Sequence, residues 1–198
     1  MDKRITMVLA LLALMFCFAG CKNDDGNGGG GGSASDDDDD SGFDATSIEF
    51  TPASGGGAAG DVWLELIEVD LDTNTVQLAV KARGIATIFG LAGELMYDAG
   101  VVSLQSGEAS AAMSAGGASV LAGAADRGAG GAFGFARERA QSGTVSANDA
   151  TQIGTLTFRA TGAGETEIAF NDERSHVLDD GLETVEVTRW LGGTVVVE

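Results

Sequence analysis

Apolar and polar residues alternate with a period of two over most of the chain beyond residue 60. The clearest stretch runs from Ile153 to Phe170. Gly154, Leu156, Phe158 and Ala160 alternate there with Thr155, Thr157 and Arg159, and Thr166, Ile168 and Phe170 alternate with Glu165, Glu167 and Ala169. A period of two places one set on each face of a strand. Phe158 and Phe170 then point to a core, Arg159 and Glu167 to water. The intervening Thr161-Gly162-Ala163-Gly164 reads as a short glycine loop, and the whole as a β-hairpin. One buried and one wet face predict an antiparallel sandwich.

The same pattern gives the other strands. From Val62 to Val69, Val62, Leu64 and Leu66 oppose Trp63, Glu65, Ile67 and Val69. From Thr75 to Arg83, Val76, Leu78, Val80 and Ala82 point inward, and Asp70 to Asn74 forms the turn between the two runs. Ile88 to Asp98 follows, with Phe89, Leu91, Leu95 and Tyr97 on one face, then a short strand over Val101 to Leu104. Gly107 to Gly131 is rich in Ala, Gly and Ser. Ser119 to Leu121 fits a strand there and Ala111 to Ala115 a loose helix; periodicity does not decide. Ala132 to Arg137 alternates, with Phe133 and Phe135 either inward in the core, the favoured reading, or outward as an aromatic contact pair. Val145 to Ala150 reads as a brief helical turn. Val177-Leu178, a turn at Asp179 to Gly181, Glu183 to Val187 and a closing strand over Gly193 to Glu198 complete the set. About nine strands in roughly 140 residues predict an all-β jelly-roll sandwich.

Ahead of this body the composition changes twice. Lys3 and Arg4 precede an apolar run from Ile5 to Ala19, too short to span a bilayer comfortably. The run ends Phe18-Ala19-Gly20-Cys21, which resembles a bacterial lipobox, although Phe18 stands where an aliphatic residue is usual. The resemblance implies cleavage between Gly20 and Cys21, lipid on Cys21, and an extracytoplasmic protein anchored to the membrane. Lys22 after the cysteine implies the outer membrane or cell surface in a two-membrane bacterium. Residues 1–20 are thus assigned to a signal peptide. Residues 21–59 are assigned to a disordered tether, because five glycines (Gly28 to Gly32) and five aspartates (Asp36 to Asp40) cannot offset the entropy of ordering. The folded domain is placed at 60–198, with a short strand over Ser47 to Thr51 at the tether's end.

Charge and chemistry narrow the function. Eleven Lys and Arg against 30 Asp and Glu give a formal charge of −19, which argues against nucleic acid and against docking on anionic lipid. Both cysteines, Cys17 and Cys21, lie in the first 21 residues. The single histidine, His176, has no nucleophile motif beside it, and no Cys/His cluster suits zinc. Asp70, Asp72 and Asn74 mimic the start of a calcium loop, but Lys81 occupies the place of the bidentate glutamate. The pairs Asp172/Glu173 and Asp179/Asp180 read as turns. No cofactor, no metal and no enzyme activity are therefore expected.

The order of several motifs resembles the cohesin domains of cellulosomes. These are Leu95-Met96-Tyr97-Asp98 followed by Val101 to Leu104, then Gly154-Thr155-Leu156-Thr157-Phe158-Arg159-Ala160, Gly164 to Ile168, and a terminal Gly193-Thr194-Val195-Val196-Val197. The resemblance runs from about Asp61 to Glu198. It implies a non-catalytic sandwich that binds a dockerin module through one sheet. Here that sheet comprises Ile88 to Tyr97, the strand near Ser119, Ala132 to Arg137, and Glu165 to Phe170. The chain departs from cellulosomal cohesins in its bland Ala109 to Gly131 stretch.

Two functions follow. A protein-docking module has Glu94, Arg137, Arg159 and Glu167 as candidate rim residues of the binding face, with a dockerin-bearing or other extracytoplasmic protein as its partner. A carbohydrate-binding module instead engages polysaccharide through Trp63 and Trp190, and requires them exposed and coplanar.

Overall fold

In a computed structural model, residues 43–138 and 143–198 are described. The lipobox, Cys21 and most of the tether lie outside them. The strands run, in chain order, β1 (Ile48–Pro52), β2 (Asp61–Asp70), β3 (Thr75–Ala82), β4 (Ile85–Ile88), β5 (Gly90–Met96), β6 (Val102–Ala109) and β7 (Val120–Asp126). They continue with β8 (Gly130–Arg137), β9 (Val145–Ala147), β10 (Thr151–Ala160), β11 (Gly164–Phe170), β12 (His176–Leu178), β13 (Thr184–Val185), β14 (Arg189–Leu191) and β15 (Gly193–Val197).

Two sheets form a sandwich. One carries the order β1-β15-β11-β5-β8-β7, with β12 continuing the line of β11 along β5 and β13 outside it. The other is β14-β2-β3-β10-β6. All pairs are antiparallel except β14 with β2. A small third pair, β4 with β9, lies apart.

Inward positions follow the alternation in the sequence. Val76, Leu78, Val80 and Ala82 on β3, Leu156 and Phe158 on β10, Leu91 and Leu95 on β5, and Ile168 on β11 are all buried. Phe133 and Phe135 of β8 are core residues, as expected, with ring centroids 5.5 Å apart. Gly154 makes room for them: a methyl group there would run into the Phe135 ring from the opposite sheet.

Four expectations change, and the open reading of Ala111 to Ala115 is decided. The strands of the Ile153–Phe170 stretch do not pair with each other. β10 bonds to β3 and β6, and β11 to β15 and β5, so the glycine loop crosses from one sheet to the other. Both strands bury one face in the same core from opposite sides, and alternation alone cannot distinguish this from a hairpin. Val145–Ala147 is a strand against β4 and not a helical turn. Ala111 to Ala115 is not a helix; a 3-10 turn sits at Ala115–Gly117. A bulge between Leu66 and Glu68 turns Val69 toward the core, opposite Val76. Finally, the sandwich begins ahead of residue 60: β1 pairs along β15 from Ile48 to Pro52, so the end of the stretch assigned to the tether belongs to the sheet.

Side-chain links fix the margins. Asp61, fully buried, accepts two bonds from Arg189, Nε to Oδ1 at 3.0 Å and Nη2 to Oδ2 at 2.7 Å, and one from the Ala58 amide. This ties β14 and the 53–60 loop to β2. Asn74, at positive φ, accepts from the Ala45 amide and donates to the Phe43 carbonyl, holding the entering chain.

Candidate docking face

The registers of β7, β8, β5 and β12 place their outward residues in rows. One row is Leu121, Ala136, Gly90 and Leu178. The next is Gly123, Gly134, Ala92 and His176. A third begins Ala125, Ala132 and Glu94. Seven of these eleven positions are alanine or glycine, and Leu121, Leu178, His176 and Glu94 stand at the row ends. β5 and β8 turn their large residues, Leu91, Leu95, Phe133 and Phe135, inward. The result is a flat apolar platform on which the sheet backbone lies close to the surface. A side chain added at Gly123 would meet nothing within 4 Å. Leu121 (43% exposed) and Met96 (47%) stand at two margins of the platform.

Charged groups border this platform on one side. Glu94 pairs with Arg174 at 3.0 Å. Glu165 and Glu167 project outward from β11 and Glu49 from β1, all exposed. The β7 strand is held at its end by a polar lock. Tyr97 Oη donates to Asp126 Oδ2 at 2.9 Å, and the Leu104 amide donates to the same oxygen at 3.1 Å. Burial, and the Asp126 carboxylate that the hydroxyl donates to, hold the Tyr97 phenol well above its ordinary range. Burial pushes Asp126 up, but the Gly128 amide, the Tyr97 hydroxyl and the Leu104 amide outweigh it and leave the carboxyl below its ordinary value.

The sequence-based candidates divide. Glu94 and Glu167 lie on this sheet's outer face. Arg159 is exposed but stands on β10, in the opposite sheet. Arg137 was expected outward and is instead 6% exposed. Its Nε donates to the Met113 carbonyl (2.8 Å) and its Nη2 to the Ala115 carbonyl (2.6 Å), so it braces the 111–117 turn. The tryptophans form no joint platform. Trp63 is 7% exposed beneath Gly56, with Nε1 donating to Glu65 Oε2 at 3.3 Å. Trp190 is opposite Val62 in register, hence on the core side, and packs on Phe170 at 5.2 Å. The indoles therefore occupy opposite faces of one sheet.

The accessible small residues of the platform, none of them singled out from the sequence, are Ala92, Gly123, Ala125, Gly134 and Ala136, while Gly90 and Ala132 are buried between them. The signal was the small residues that alternate with Phe133 and Phe135, together with the unusual Ala/Gly content upstream. Among the described residues no group of three or more His, Cys, Asp or Glu is placed to hold a metal, and no helix is long and apolar enough to cross a membrane. One shallow cleft, lined by Pro52 to Gly56, Trp63 and Glu65, lies at the far edge of the other sheet.

No family model matches the sequence, and no curated protein does. Solved structures do resemble the fold. The sixth cohesin of scaffoldin B from Acetivibrio cellulolyticus, in complex with a mutant Cel5 dockerin, is similar at 17% identity over 62% of this chain and 87% of that one, TM-score 0.46. A type II cohesin domain from the cellulosome of the same organism is similar at 13% identity, covering 69% and 92%, TM-score 0.48. A non-cellulosomal cohesin from the archaeon Archaeoglobus fulgidus is similar at 15% identity, covering 61% and 79%, TM-score 0.45.

Proposed function

We propose that this chain is a non-catalytic binding module that docks a protein partner on the outer face of β7, β8, β5 and β12. The observation behind this reading is the three-row alanine and glycine platform. A sheet face with few long side chains at its centre lets a partner's helix or strand approach its backbone closely. It also loses little side-chain entropy on being covered. Leu121 and Met96 supply larger apolar contacts at the margin, where a partner's side chains can anchor.

The sequence motifs suggest the partner's class, a dockerin-type module or another extracytoplasmic protein. In this reading Cys21 carries lipid, and the Gly/Asp tether presents the domain away from a bacterial membrane, at the outer membrane or cell surface where there are two.

The test is capture by the full-length protein from its own organism's lysate and culture medium, with and without calcium. The control is the Gly123→Lys/Ala136→Lys variant, which blocks the platform without entering the core. Retention of proteins with a duplicated calcium-loop module by the wild type alone supports the reading. Equal retention by the variant, or retention only on polysaccharide resin, sinks it. Lipidation is checked separately, by incorporation of labelled palmitate that Cys21→Ser abolishes.

A further inference from the structure

The outward face of the first sheet has a second part. Beyond the platform, Glu49, Val196 and Glu165 form one row across β1, β15 and β11, and Thr51, Thr194 and Glu167 the next. The three glutamates are exposed and project from strands, so their positions are fixed by the sheet. No lysine or arginine shares these rows. Arg174, on the platform side, is already engaged by Glu94 at 3.0 Å. Arg127 lies beyond the other end of the face, in the turn after β7, next to Asp126. On the opposite sheet the outward cations are interspersed among the acids. Lys81 holds Glu65 at 2.6 Å, and Arg159 lies between Thr75 and Ser103.

Resting on the docking reading, we infer that the partner is a basic protein surface: an apolar strip seated on the alanine and glycine rows, with lysine or arginine side chains along the side that crosses β11, β15 and β1. Two observations fit together. The apolar rows offer contact area but few directional groups, so they set no register for a partner. The adjoining carboxylates supply one-sided charge, which orients an approaching partner and raises its association rate. An acidic partner would meet the same carboxylates and be repelled. The occupant is thereby limited to one sign of charge and one orientation.

The probes are two synthetic amphipathic helical peptides with the same leucine and alanine face, one flanked by lysine and one by glutamate. Each is titrated into the isotope-labelled full-length protein, and amide shifts are followed by NMR. The lysine peptide is expected to shift Ala92, Gly123 and Gly134 together with Glu165 and Glu167, and to bind more weakly as salt rises. Substituting Glu49→Gln, Glu165→Gln and Glu167→Gln together is expected to weaken it about tenfold, the combined effect of three exposed charge pairs. The platform shifts should remain.

Equal binding of both peptides to the platform, or no change in the triple variant, overturns the charge inference and leaves the docking face standing. Lysine-peptide shifts confined to acidic segments such as Asp36 to Asp40 overturn both, as does the absence of platform shifts with either peptide.

Discussion

The two outer faces of the sandwich share a core and differ in nearly every outward residue. On the β2-β3-β10-β6 side the rows read Glu65, Ala79, Thr155, Glu108, then Glu68, Gln77, Thr157, Ser106, then Asp70, Thr75, Arg159, Ser103. Apart from the buried Ala79, these are polar or charged side chains that carry their own water. On the β7-β8-β5-β12 side the corresponding rows are alanine and glycine at their centre, with Leu121, Leu178, His176 and Glu94 at their ends. Both sheets bury large residues on the inner face, Leu64, Leu78 and Phe158 on one side and Leu91, Leu95, Phe133 and Phe135 on the other, although β7 itself has no buried residue. A solvated sheet face gains from threonine, glutamine and charge, and strands lose propensity with glycine and alanine. The small residues therefore cost stability on the face that carries them. The docking reading gives that cost a use.

Substitutions can break or sharpen the contrast, beginning with the largest effect. Phe135→Ala removes the ring beneath the platform and opens a cavity against Gly154. A loss of about 3–5 kcal/mol in urea unfolding is expected. Leu78→Ala, beneath the polar face, should cost about 2–5 kcal/mol, which would show that the two faces are supported alike. Gly123→Lys with Ala136→Lys should leave unfolding free energy within about 0.5 kcal/mol and abolish partner capture. Thr157→Lys on the other face should leave both unchanged. A platform variant that keeps full binding would end the functional distinction between the faces.

Tyr97→Phe tests the lock that holds β7 in place. Loss of its bond to Asp126 should cost about 1–2 kcal/mol. The pH dependence carries a signature. The folded state holds the Tyr97 proton more tightly than the unfolded chain, so this contribution is complete below about pH 10 and is lost as pH rises beyond it. Tyr97→Phe should lack that alkaline decline. Asp126 works in the other direction. Its carboxyl lies lower in the folded state, so its contribution is present at neutral pH and fades as pH falls through the acid range. The smallest effect is expected at Lys81→Met on the polar face. Lys81 holds Glu65 below its ordinary value through a 2.6 Å contact, yet the pair is solvent-accessible and should contribute no more than about 0.5 kcal/mol. Thermal unfolding at low and high salt would measure it.

Period-two alternation was enough to assign the inward residues of β3, β5, β10 and β11, and the turn at Asp70 to Asn74; for β8 it favoured the core for Phe133 and Phe135 without excluding the opposite face. It failed where a neighbour decides the outcome. Arg137 follows the alternation of Phe133 and Phe135 and so falls on the inner side, where a charge is costly unless its donors are met. Two carbonyls of the 111–117 turn meet them. No count along the sequence locates those carbonyls. The Ala109–Gly131 stretch is bland in sequence because a row of small residues has meaning only beside the strands it is paired with. Trp63 and Trp190 were equivalent candidates on paper and lie on opposite faces of one sheet.

The sequence by itself determined the all-β class, the inward apolar residues of β3, β5, β10 and β11 and the absence of nucleophile or zinc-cluster motifs, since strand periodicity and residue chemistry are local properties. Tertiary structure decided which strand pairs with which. The Ile153–Phe170 stretch became a bridge between sheets and not a hairpin, and alanines and glycines from separate strands came into register as one platform. Those outcomes depend on contacts between segments far apart in the chain, and on which faces close over the shared core.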